Sequence, residues 1–167
     1  LVDPKSQDAR RAQRDRFLKR LALSATQSLV FNRYLVARME ADRLKSVMGG
    51  DWMMKRDTGG PFLVEDISIE QQRFDAGETV ITGPLPGRKV KLAEGESGEF
   101  ERKILAEASL KREDFVPFGK LALGTRRPLL AYPEDLHVQE ESDGIRLSFY
   151  LNKGAYATNL LREIMKT

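Results

Sequence analysis

Glycine and proline punctuation constrains this chain more than any other feature. Gly49-Gly50, Gly59-Gly60, Gly83-Pro84 and Pro86-Gly87 crowd into residues 49–87, and each pair interrupts any regular element that would run through it. What lies between is short. Trp52–Lys55, 61–67 and 79–82 read as brief strands joined by structured loops. Before the punctuation, residues 6–45 hold helical spacing. Phe17, Leu21 and Ala25 recur four apart, as do Phe31, Leu35 and Met39, so each set is expected to line one face of a helical pair or of one kinked helix. Ser6, with Asp3 and Pro4 before it, is the expected N-cap, and Gly49-Gly50 the expected stop.

After the punctuation, Phe100, Ile104 and Ala108 return to helical spacing, followed by a short turn at 111–116. The end of the chain is the clearest part. Ile145, Leu147, Phe149 and Leu151 alternate with Arg146, Ser148, Tyr150 and Asn152, the pattern of a half-buried strand. Asp143-Gly144 is a hairpin turn signal that pairs it with a strand near 135–140. The run Lys153-Gly154-Ala155-Tyr156-Ala157-Thr158 then leads into a helix through Leu160, Leu161, Ile164 and Met165. No βα alternation and no internal repeat occurs. The expected fold is α+β: an N-terminal helical pair, mixed short strands and helices, and a C-terminal β-hairpin followed by a helix.

At 167 residues with 41% hydrophobic residues, the chain is long enough to build a core. It has no cysteine and one histidine, His137, which excludes disulfides, thiolate metal sites and multi-histidine metal sites. No metal or cofactor is expected. No apolar run approaches the roughly 18 residues that would cross a bilayer, and the arginine-rich start leads into no signal-peptide apolar segment. These points favour a cytoplasmic protein without membrane contact. A first residue of Leu1 points to a chain cut from something longer.

Net charge is +3 and the isoelectric point near 9.2, and the charge is unevenly spread. Residues 1–23 carry seven Lys or Arg, among them Arg10, Arg11 and Arg14, against three Asp. Residues 134–143 carry five acids and no Lys or Arg. The front end can attract phosphates, although a solvated helix face accounts for it equally well. The glycine loop 49–60 lacks the spacing of a phosphate loop or a dinucleotide fold and reads as a hairpin with glycine turns. Asp57, between Arg56 and Thr58, is a weak candidate carboxylate. Glu134, Asp135, Glu140 and Glu141 lack cation-loop spacing and read as a solvated hairpin; His137 reads as structural. Basic residues near aromatics carry more. Arg126 and Arg127 lie in a loop stiffened by Pro128, suited to phosphate oxygens. Lys153 and Tyr156 flank Gly154 at a strand-to-helix junction, where free N–H groups attract an anion and the ring can stack on a base. A core tyrosine packing the last helix is the competing reading.

The run from Leu151 to Thr158, continuing to Leu160-Leu161-Arg162-Glu163, resembles the carboxyl-terminal motif of the TruD family of tRNA pseudouridine synthases. Val30-Phe31-Asn32-Arg33-Tyr34-Leu35 is similar to a stretch of that family's insertion domain. So are Gly50-Asp51 with Met54-Lys55 and Asp57, Thr82-Gly83-Pro84 with Gly87, and Gly124-Thr125-Arg126-Arg127-Pro128. The resemblance spans nearly the whole chain in order.

It implies isomerisation of a uridine in tRNA without a cofactor: uracil is detached from its ribose, rotated and reattached through carbon, after the base has left its stack. Tyr156 matches a position where the family carries an aromatic ring, usually phenylalanine, lining the target-uracil pocket. The family's Gly-x-Lys-Asp and Asn-Tyr-Phe-Gly-x-Gln-Arg-Phe motifs are missing, so no catalytic residue is expected in this chain. Residues 1–140 then correspond to the insertion domain, and residues 141–167 to the last strand and helix of the catalytic domain. The implied partners are tRNA and the N-terminal catalytic half of the enzyme. The alternative is a free-standing RNA-binding module without chemistry.

Overall fold

The structure, a computed structural model, describes residues 15–152 and 154–166. The chain divides after Leu129 into two compact units. The first is α+β, with its elements in the order α1 (Arg16–Glu40), β1 (Trp52–Lys55), β2 (Pro61–Leu63), α2 (Ile67–Asp75), β3 (Thr79–Leu85), α3 (Gly95–Glu107), a 3-10 segment (Arg112–Ala122) and β4 (Thr125–Pro128). The second holds β5 (Glu134–Glu141), β6 (Gly144–Tyr150) and α4 (Ala157–Met165).

Helix α1 starts at Asp15, whose carboxylate accepts the N–H groups of Phe17 (2.8 Å) and Leu18 (3.1 Å). A carboxylate here satisfies donors that the first turn leaves unpaired. The expected cap, Ser6, lies outside the described residues. Where a helical pair was expected, the described residues form one helix, ending at Glu40 and so before Gly49-Gly50. The buried face also differs from the expected one. Leu23, Val30, Phe31, Tyr34 and Arg38 face inward, whereas Phe17 is 71% and Leu21 56% exposed, and Ala25 is exposed too. Of the second set Phe31 is buried, Leu35 half-buried and Met39 exposed. Both faces of α1 are apolar. The one that packs includes Tyr34 and Arg38, which a count of apolar residues passes over.

The inward face of α1 lies on a four-stranded antiparallel sheet of order β2-β1-β3-β4. Strand β3 is central and buried almost throughout, with Ile81 opposite Met53 of β1 and Gly83 opposite Arg127 of β4. The glycine loop forms the expected hairpin, Met53 pairing with Phe62. The stretch read as a strand through residue 67 instead leaves the sheet after Leu63 and becomes α2, capped by the Asp66 carboxylate on the Ile69 N–H at 3.1 Å. The turn expected at 111–116 lengthens into the 3-10 segment, broken at Gly119. Its Phe115 and Ala122 pack with Leu23 in a small second core.

In the second unit β5 and β6 form an antiparallel hairpin, with Val138 opposite Leu147 and Glu140 opposite Ile145. The expected boundary at 140/141 would cut this ladder. Dividing after Leu129 keeps both strands together. Of the alternating residues expected to be half-buried, Leu147, Phe149 and Leu151 are so, while Ile145 is 69% exposed and Val138 on β5 is 65% exposed. Helix α4 buries none of its residues, although Leu160, Leu161, Ile164 and Met165 fall on one side of it.

Candidate nucleic-acid interface

Two buried arginines organise the first unit. Arg38 and Asp51 are both fully inaccessible, joined through Nη1–Oδ1 at 2.8 Å and Nη2–Oδ2 at 3.2 Å. Every remaining polar atom is used. Arg38 donates to the Tyr34 hydroxyl and to the carbonyls of Arg43 and Ser46. Asp51 accepts from the Ser97 hydroxyl (2.6 Å) and the Met48 N–H (2.8 Å). This network ties α1, the loop after it, β1 and the start of α3 to one point. Burial opposes the charge on Arg38, but Tyr34 and Asp51 outweigh it and hold its pKa above the ordinary value.

Arg126 differs from the expectation of a loop guanidinium open to phosphate. Its side chain is buried against Glu101 at 2.6 Å and donates to the Thr82 hydroxyl and to the carbonyls of Thr82 and Lys91. Glu101 in turn accepts the Ala93 N–H. Arg127, its neighbour on β4, is half-buried, with its guanidinium carbon 5.0 Å from the centre of the Phe31 ring. Tyr156 is 67% exposed and extended at the N-cap of α4 (φ −118°), its carbonyl accepting the Asn159 N–H at 3.0 Å. Its ring is not part of a core. Arg10, Arg11, Arg14 and Lys153 lie outside the described residues. Among the described residues the expected RNA contacts are thus Arg126 and Arg127, adjacent on β4, and Tyr156 of the second unit.

The weaker candidates fall on the surface. Asp57 is exposed in the β1–β2 turn, where its carboxylate accepts the Thr58 N–H. Glu134, Asp135, Glu140 and His137 are exposed along β5, and Glu141 is half-buried and pairs with Arg146. Among the described residues, no three His, Cys, Asp or Glu side chains group closely enough to hold a metal ion. No helix there is long and apolar enough to cross a membrane. Sequence reading missed Arg38 and Glu101, and picked out Asp51 only as part of a family-like stretch, without its role in the core. The signal was the spacing of Tyr34 and Arg38, four apart on the inward face of α1.

The network has a pH signature. Burial raises the pKa of the Tyr34 phenol above 10; Arg38 pulls it back, and Asp51 and Glu101 push it further up. A folded pKa above the unfolded value of about 10 means that this contribution to stability is complete below pH 10 and is lost as pH rises through the folded pKa. Comparing urea midpoints at pH 8 and pH 11 should show a shallower alkaline loss in Tyr34→Phe than in the unaltered chain.

A basic α+β protein of two compact units is the class that fold and charge define. The sequence profile described as tRNA pseudouridine synthase D (TruD) matches residues 2–164, and the chain belongs to that family. The chain is 43% identical to a tRNA pseudouridine synthase D of Anaeromyxobacter dehalogenans over 97% of its own length and 46% of that protein's. With the Thermus thermophilus protein of the same name it shares 43% identity over 90% of its own length and 41% of that protein's. A solved structure of a putative tRNA pseudouridine synthase D from Methanosarcina mazei superposes with a TM-score of 0.67 at 31% identity, covering 84% of this chain and 36% of that one. The chain therefore spans just under half the length of the curated relatives it matches.

Proposed function

We propose that this chain is the RNA-grasping insertion and one wall of the uracil pocket of a cytoplasmic tRNA pseudouridine synthase, and that the catalytic aspartate comes from an N-terminal half outside it. The observation that carries the reading is the family match along almost the whole chain at under half the relatives' length. The state of the second unit supports it. A lone two-stranded hairpin is marginal in water, and an amphipathic helix with no fully buried residue, only Leu160 and Leu161 being half-buried, contributes little to holding it. Both elements have the form of a domain's last pieces awaiting the rest of that domain. In this reading the first unit corresponds to the insertion, and the β5–β6 hairpin with α4, which the expected boundary at 140/141 would split, to the end of the catalytic domain. Tyr156 supplies a ring against the flipped uracil, and Arg10, Arg11, Arg14, Arg127 and Lys153 meet phosphates. Arg126 serves the fold instead. No cofactor enters the isomerisation.

The test is a pseudouridine assay on unmodified tRNA. The chain alone should give no product, and adding the N-terminal half of the Anaeromyxobacter dehalogenans relative should give product above background. Product from the chain alone would place the nucleophile within it and overturn the division. Tight tRNA binding with no product in either mixture would favour the free-standing RNA-binding module.

A further inference from the structure

The first unit contains a cationic groove that none of the expected contacts occupies. Between the end of β3 and α3 lies a small cavity of about 60 Å³ whose apolar floor includes Pro84, Pro86, Val90 and Leu105. Arg102 of α3 and Arg112 of the 3-10 segment line it as well. The loop that closes one side carries Arg88, Lys89 and Lys91, and residues 79–93 contain no acid. All five cations are exposed, and none forms an ion pair among the described residues. Glu101 also lines the cavity, but its carboxylate is already committed to Arg126. Arg102 and Arg112 share the cavity lining without a counter-ion, a deficit that a polyanion would fill.

The groove is built rather than incidental. Arg112 donates from Nη2 to the Arg88 carbonyl at 2.9 Å, which fixes both basic segments against each other. Lys91 sits with its ammonium 4.4 Å from the centre of the Trp52 ring, and its carbonyl is held by Arg126. The loop is pinned again at its start, where the Arg88 and Lys89 N–H groups donate to the carbonyls of Ala122 and Leu123. That pinning needs Gly87 and Gly124, since a Cβ on Gly87 would stand 2.3 Å from the Gly124 nitrogen. Gly124 itself has φ +75°.

We propose that this groove grips the sugar-phosphate backbone of the tRNA, with Arg102 and Arg112 on phosphate oxygens and a ribose or base edge against the proline floor. The proposal rests on the tRNA reading above and names the surface that does the grasping. Forked guanidinium groups match phosphate geometry. The cavity is far below the roughly 300–1,000 Å³ of a small-molecule pocket, so it takes part of a chain and not a free nucleotide.

The test is a tRNA titration across salt concentrations with the whole chain, with Arg102→Ala/Arg112→Ala, and with Arg33→Ala/Lys55→Ala. The last is a control that removes the same charge from exposed sites elsewhere, and circular dichroism checks that each variant is folded. The groove variant is expected to bind about tenfold or more weaker at low salt, with the slope of log K against log salt reduced by about 2, while the control changes little. Equal losses in both variants would reduce the effect to net charge and overturn the groove. No loss in the groove variant would place the RNA elsewhere and overturn it too. Failure of the unaltered chain to bind at low salt also overturns it; the pseudouridine assay, which reads product with the N-terminal half present, then judges the tRNA reading separately.

Discussion

Asp51→Ala is expected to cost the first unit about 3–5 kcal/mol, the range for removing one partner of a buried ion pair. The reason is what the substitution leaves behind. Arg38, fully inaccessible, keeps its charge with no counter-ion, and the Ser97 hydroxyl and Met48 N–H lose their acceptor. Each of those is a desolvated group that folding would then bury unpaired. Small domains hold only about 5–15 kcal/mol in total, so the loss should bring the unit close to unfolding at room temperature. Urea denaturation measures it. The informative companion is Arg38→Met/Asp51→Asn, which removes the charge from both sides and keeps a polar acceptor for Ser97. Its cost should fall well short of the sum of Arg38→Met and Asp51→Asn, because the two positions act through each other. Additive costs would mean that the pair is not a unit and that Asp51 acts mainly as a loop acceptor.

How this pair escaped sequence reading shows where such reading stops. Period-two alternation placed β6, the Asp143-Gly144 turn placed its partner, and glycine pairs placed the β1–β2 hairpin. Those signals are local, and local chemistry decides them. The inward face of α1 is not local. Phe17-Leu21-Ala25 and Val30-Tyr34-Arg38 are both regular stripes, and only the sheet, assembled from residues 52–128, selects between them. Helix α2 was missed because Ile67, Ile69 and Phe74 make a thin apolar pattern; the Asp66 cap was the stronger signal. On the functional side, Tyr156 was legible only through family resemblance. Arg88, Lys89 and Lys91 stand in a run without acids, but the seating of that loop against the 3-10 segment depends on a backbone crossing at Gly87 and Gly124.

Arg126 and Arg127 carry the second large expectation, since adjacent residues of one type should behave in opposite ways. Side chains alternate along a strand, so the two leave β4 on different faces. Arg127 stands opposite Gly83 and faces the Phe31 ring of α1. Arg126 turns to the other face, where Glu101, Thr82 and the Lys91 carbonyl absorb its donors. Arg126→Ala should therefore cost about 3–5 kcal/mol, because it strands the buried Glu101 carboxylate. It should also loosen the loop that carries Lys91, whose carbonyl Arg126 holds. Arg127→Ala loses a half-buried cation–π contact and should cost only about 0.5–1 kcal/mol. Glu101→Gln separates fold from charge: it keeps an acceptor for Arg126 but leaves that cation unneutralised beside Arg102. Its stability should fall between the two alanine variants. Urea midpoints rank all three, and similar costs for Arg126→Ala and Arg127→Ala would contradict the alternation that sets one arginine inside the fold and the other at its edge.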